Sequence, residues 1–223
     1  GARRVFNIQS GGTAELIGLN ITGGYAPGGG VYIQSNGEAN FESCNIHDNT
    51  ATYYGGGGLY IRGTATLTNT NVYSNQASGN WWERDGGGVF VDSNGVANFE
   101  SCNIHDNTAT YDGANGLQGG GLYISGTATL TNTNVYSNEA TTGSGWGGGL
   151  YIEGTATLTN TNVYSNQADW GGGVYVGGYG VAIFEGCSIH DNTAGAGGGV
   201  FVDGVANFEG CDIHDNTATY RGW

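Results

Sequence analysis

The chain has 223 residues, including 46 glycines and one proline, and its 19 acidic residues set against five basic ones give a formal charge of −14. So little proline excludes collagen, which needs proline and a strict three-residue glycine period. The acidity argues against nucleic acid and anionic membranes as partners, since both require clustered cations. No apolar run approaches the ~20 residues that span a bilayer, so membrane insertion of this segment is not expected.

In chain order, residues 1–27 read as a degenerate first coil, with Phe6, Ile8, Ala14, Leu16, Leu19 and Ile21 spaced to point one way. From Gly28 onward a glycine triplet followed by an apolar–aromatic–apolar triplet recurs seven times, beginning at Gly28, Gly56, Gly86, Gly119, Gly147, Gly171 and Gly197. Each unit then carries further short segments of alternating apolar and polar residues, which is strand periodicity. In the unit at Gly28 the inward set is Val31, Ile33, Ala39, Phe41, Cys44 and Ile46, and in the next it is Leu59, Ile61, Ala65, Leu67, Thr70 and Val72. Aligned apolar columns that no single unit could bury alone require stacked coils. The expected fold is therefore all-β: a right-handed parallel β-helix, or β-solenoid. It has three short strands per coil and about eight coils in a single domain over residues 1–223, with seven regular coils in 28–223.

Several columns bear side chains that could carry chemistry. Asn49, Asn75, Asn107, Asn138, Asn166, Asn192 and Asn216 read as a structural amide ladder at a turn. Cys44, Cys102, Cys187 and Cys211 share an inward column with Thr70, Thr133 and Thr161, so they read as small buried side chains; a bond between the neighbours Cys187 and Cys211 would be strained. His47, His105, His190 and His214 fall in one outward column, each followed by aspartate and alternating with Tyr73, Tyr136 and Tyr164. Within it His190, Asp191, His214 and Asp215 are candidates for a small metal site. Glu185 stacked on Glu209 makes a like-charge contact that calcium or another cation would relieve; no other cofactor is expected.

The strongest candidate interaction surface is the aromatic row Tyr32, Tyr60, Phe90, Tyr123, Tyr151, Tyr175 and Phe201, one outward ring per coil. A continuous exposed stripe of this kind suits a covering subunit, domain or glycan, and Trp81, Trp82, Trp146 and Trp170 in the preceding loops would extend it. Threonine pairs such as Thr66 and Thr68 suggest ice binding, but Asn98 and Glu100 interrupt their rows. Enzymes on this fold, chiefly lyases and hydrolases of acidic polysaccharides, need a unique cleft with a basic residue or a carboxylate cluster. Here Arg3, Arg4, Arg62, Arg84 and Arg221 look scattered and the carboxylates fall in repeat columns, so no catalysis is expected.

The run of an apolar residue, two variable residues, asparagine, one more residue and alanine, then a variable loop and paired glycines, recurs from residues 46–51 to 213–218. It resembles the polymorphic outer membrane protein repeat of bacterial surface proteins. That resemblance implies a β-helical surface or adhesin segment and carries over no catalytic residue. The expected role is a non-catalytic structural or adhesive solenoid of an extracellular or cell-surface fibre, stalk or adhesin; the alternative is a carbohydrate-binding or carbohydrate-active β-helix. Expected partners are the chain itself, head to tail, or further coils of a longer chain, and glycans. Asn20, in the only Asn-x-Ser/Thr sequon, is the candidate glycosylation site.

Overall fold

The computed structural model describes residues 3–53, 55–78, 86–110, 118–140 and 144–219; Trp81, Trp82, Arg84 and Arg221 lie outside them. The described residues form strands and turns only. Eight coils stack into three eight-stranded sheets and one seven-stranded sheet, all parallel. The first sheet runs through the strands that follow the glycine triplets, such as Val31–Ile33 and Leu59–Ile61. The second holds the five-residue strands, such as Glu38–Glu42, and the third holds Asn45–His47 and its counterparts. The fourth holds very short strands such as Thr50–Ala51 and Thr108–Thr110.

A regular coil thus has four strands where the sequence led to an expectation of three. The reason is local. Ile46 and Asn49 both turn inward but are three residues apart, which breaks the alternation of a single strand. Asp48 between them has φ 50°, and Ser74, Asp106, Ser137, Ser165, Asp191 and Asp215 repeat that left-handed turn in the same column. These short polar side chains tolerate the left-handed region better than most. A parallel column, Ser43, Asn69, Ser101, Asn132 and Asn160, turns the chain between the second and third sheets.

Register is in phase from coil to coil, with Ile33, Ile61 and Val91 in line and Phe41, Leu67 and Phe99 in line. One core therefore runs through the stack, and most of its side chains, including Phe41, Phe99, Ile104 and Phe184, are fully buried. At the glycine corner the coils approach so closely that a β-carbon on Gly87 would fall on the carbonyl oxygen of Gly120. That contact, as much as backbone freedom, is why the column is glycine. The last described coil is open on its far edge, where Val205, Phe208 and Ile213 are 54%, 40% and 47% exposed.

Candidate functional site

The inner asparagine column is a ladder, as expected. Asn107 accepts at Oδ1 from the backbone N–H of Asn75 at 3.1 Å and from Asn75 Nδ2 at 3.0 Å. Its own Nδ2 donates to the Val72 carbonyl at 2.9 Å and to Asn138 Oδ1 at 3.0 Å. The residues from Asn49 to Asn192 in this column are buried, so their donors and acceptors are spent inside the wall and are not open to a ligand.

The cysteines also stay structural and free of disulfides. The thiols of Cys44, Cys102 and Cys187 donate to the carbonyls of Leu16, Leu67 and Leu158, each in the preceding coil. Burial pushes the Cys102 thiol up to about 11 and raises that of Cys187. Thiolate is the reactive form, so brief alkylation of the folded protein with iodoacetamide should modify the partly exposed Cys211 ahead of the other three. Peptide mass spectrometry reads the order; Cys102 labelling as fast as Cys211 would contradict this packing.

On the outer face of the third sheet the histidines and tyrosines form one stack of seven rings, His47, Tyr73, His105, Tyr136, Tyr164, His190 and His214. Neighbouring centroids lie 4.6 to 5.2 Å apart and planes are within 7° of parallel. Partial burial in the stack raises the Tyr136 and Tyr164 hydroxyl pKa values. Ring faces are used up by neighbouring rings, so the stack offers solvent mainly its edges. In His47, His105 and His190, Nδ1 lies 2.7 Å from the following, exposed aspartate, and in His214 the distance is 2.9 Å. A carboxylate there favours the tautomer with the proton on Nδ1, and in His214 Nε2 also lies 3.8 Å from Asp212. Asp215, through this bond, raises the pKa of His214. Of the metal candidates, His190 and His214 are adjacent, yet each aspartate serves its own ring, and no group of three metal-binding side chains converges among the described residues. Glu185 and Glu209 do stand in register.

Beside the rings runs a second, outer amide ladder that the sequence reading missed: Asn20, Asn45, Asn71, Asn103, Asn134 and Asn162. From Asn45 onward each Nδ2 donates to the Oδ1 of the preceding coil at 2.9 to 3.0 Å. Its signal was present in the sequence as an asparagine two residues before each of the five rings from His47 to Tyr164.

The aromatic row of the first sheet corrects an expectation. Its rings do point away from the core, but Tyr60, Phe90, Tyr123 and Tyr151 are only 1 to 8% exposed and form a second apolar cluster. Alternation gives a side chain's direction and says nothing of what lies over it. Trp146 stacks on Tyr151 and Tyr175, Trp170 meets Phe201 edge-on, and the Arg4 guanidinium sits 4.6 Å from the Tyr32 ring centre. Trp146 and Trp170 thus pack on the C-terminal part of the row, from Tyr151 to Phe201, instead of extending an open surface. The hydroxyl of Tyr123 is tied to Glu153, and burial with a bond to Asp92 pushes the Tyr60 phenol far above its usual range.

At the N-terminal end of this row the arginines prove less scattered than expected. Arg4 and Arg62, far apart in sequence, line one cleft of about 330 Å³ with Tyr32, Tyr60 and Asp92. Tyr60 donates to Asp92 at 2.7 Å, and Arg62 Nη1 donates to the Tyr32 hydroxyl at 3.4 Å. Arg62 Nε lies 3.5 Å from Asp92 but is buried without a hydrogen-bond partner. Tyr32 and Tyr60 belong to the aromatic row and Arg62 and Asp92 follow it at one position of consecutive coils, but neither arginine recurs at its position in another coil, which is why the folded arrangement reveals the group.

The family model described as "Right handed beta helix region" matches residues 5–168 and 120–221. No curated protein and no solved structure matches the chain.

Proposed function

The chain belongs to the right-handed β-helix family, and from that premise we propose that it is a non-catalytic structural or adhesive segment of an extracellular or cell-surface fibre, stalk or adhesin. The observation that carries this reading is the outer face of the third sheet, where a ring ladder and an amide ladder run side by side through the stack. A group repeated in every coil multiplies weak contacts along an extended partner, which is how adhesion gains strength from modest affinities. The resemblance of residues 46–51 and their later counterparts to the polymorphic outer membrane protein repeat supports a surface location.

The far edge of the last described coil supports end-to-end continuation. Phe208 stacks on Phe184 at 4.6 Å, extending an inward column whose next place is open. Unpaired strand edges with apolar side chains invite another coil, from the same chain or a second copy. Head-to-tail contact of copies is heterologous and produces filaments. Sedimentation across the micromolar range tests this: mass should grow with concentration, whereas a strictly monomeric protein at every concentration would contradict it.

Asn20 lies exposed at the end of the outer ladder, and its Oδ1 accepts from Asn45, leaving its Nδ2 directed away from that bond. In a secretory route that performs N-glycosylation Asn20 should carry glycan. Intact-mass analysis of material from such a source should show the added sugar, and a bare peptide mass would contradict the expectation. The cleft at Arg4 and Arg62 favours a second reading, carbohydrate binding, because it sets two non-recurring arginines and a carboxylate beside stacked tyrosine rings.

A further inference from the structure

We propose that the cleft between Arg4 and Arg62 binds a small hydroxycarboxylate, its carboxylate held by the two guanidinium groups and a hydroxyl by Asp92. The site stands independently of the rod's structural or adhesive role, since its two arginines recur at their positions in no other coil, although Tyr32 and Tyr60 belong to the aromatic row.

The argument begins with charge. A molecule carrying −14 repels anions in general, so bringing two of its five cations to one cleft runs against the surrounding field. Among the described lining residues two arginines face one aspartate, a local balance of 2 − 1 = +1. A guanidinium has five N–H donors in a planar fork suited to a carboxylate, and neither arginine spends them well here. Arg4 lies over the Tyr32 ring and donates Nε to the Pro27 carbonyl at 2.6 Å, which fixes its plane; its Nη groups have no protein hydrogen bond among the described residues. Arg62 makes one long bond, to Tyr32 at 3.4 Å, and its Nε has none. Its side chain remains 42% exposed, so the fork is reachable.

Asp92 narrows the choice of ligand. It is only 18% exposed and accepts from Tyr60 and, at its other oxygen, from Ser93 at 3.1 Å. An ionised carboxylate has about four lone-pair sites, so it can still accept from a ligand hydroxyl. The same negative charge disfavours a dianion such as phosphate beside it. A volume near 330 Å³ is at the small end for ligand pockets, and the stacked Tyr32 and Tyr60, 4.9 Å apart, supply a flat apolar wall. One carboxylate with neighbouring hydroxyls meets all of these conditions. Its source is either an acidic sugar at the end of a glycan or a free open-chain hydroxy acid.

Calorimetric titration of the whole protein separates the outcomes, with glucuronate, glycerate, propionate, glucose and inorganic phosphate as probes. Glucuronate, glycerate or both should bind with Kd of about 1 mM or tighter, propionate should bind about tenfold more weakly for want of a hydroxyl, and glucose and phosphate should not register. Glucuronate alone, or much the tighter, identifies the acidic sugar as the source, and glycerate at least as tight identifies the free acid. Arg62→Gln and the more exposed Arg4→Gln should each weaken binding about tenfold or more with the melting temperature retained. Asp92→Asn should abolish the preference for glycerate over propionate. No binding of either acid, phosphate binding as tightly as glycerate, or affinity undiminished in both arginine variants would overturn the proposal.

Discussion

Replacing Asn107 with alanine lowers the stability of the rod by about 3–5 kcal/mol, because several buried hydrogen bonds vanish at once and leave partners with no water to turn to. Asn107 Oδ1 is the acceptor for both the backbone N–H and the side-chain amide of Asn75, and its Nδ2 serves the Val72 carbonyl and Asn138 Oδ1. Asn75 retains a bond to the Ile46 carbonyl, but its N–H is orphaned. Aspartate at 107 is worse than alanine, since a carboxylate oxygen would face the Val72 carbonyl that now accepts a hydrogen bond from Nδ2. Urea unfolding of the wild type and the two variants, with a common m-value, measures the difference. A loss below about 1 kcal/mol would mean that the ladder is incidental to the fold.

Phe99→Ala should have a similar effect by a different route. Phe99 is 1% exposed and stands in register between Leu67 and Leu130, so truncation leaves a cavity in a core that cannot collapse without breaking register. Phenylalanine to alanine at such a site costs about 3–5 kcal/mol. His105→Ala is the control. From sequence it was expected to change stability by under ~1 kcal/mol; its place between Tyr73 and Tyr136, at 5.1 and 4.6 Å, raises the expectation to about 1 kcal/mol. Thermal or urea unfolding compares the pair. Equal, large losses would mean that the inward and outward columns are misassigned.

The repeat made the architecture legible because period-two burial acts on every strand long enough to show it. Val31 with Ile33 and Ala39 with Phe41 each alternate, and both pairs are buried. The fourth strand was not legible as a strand, since Thr50–Ala51 buries only one side chain and two residues cannot display a period. Its corner was nonetheless written in the sequence, as the three-residue gap between Ile46 and Asn49 with a small polar residue before the asparagine. The two aromatic columns exchanged expected roles. Both point outward, but coverage depends on neighbouring segments that vary from coil to coil, so the row from Tyr32 to Phe201 is largely covered while the histidine–tyrosine stack keeps its edges open. The Arg4–Arg62 cleft was invisible for a related reason. Its members come from different coils, its arginines recur in no column, and only register places them together.

The central claim, that the chain is one segment of an extended structural solenoid, is tested most directly by low-dose electron microscopy of the native material. The account predicts unbranched rods or filaments in which coils repeat every ~4.8 Å along the axis and the edge beyond Phe208 is covered by a further coil. Dispersed compact particles, with a separate capping element seated over Phe208 and Ile213, would contradict it.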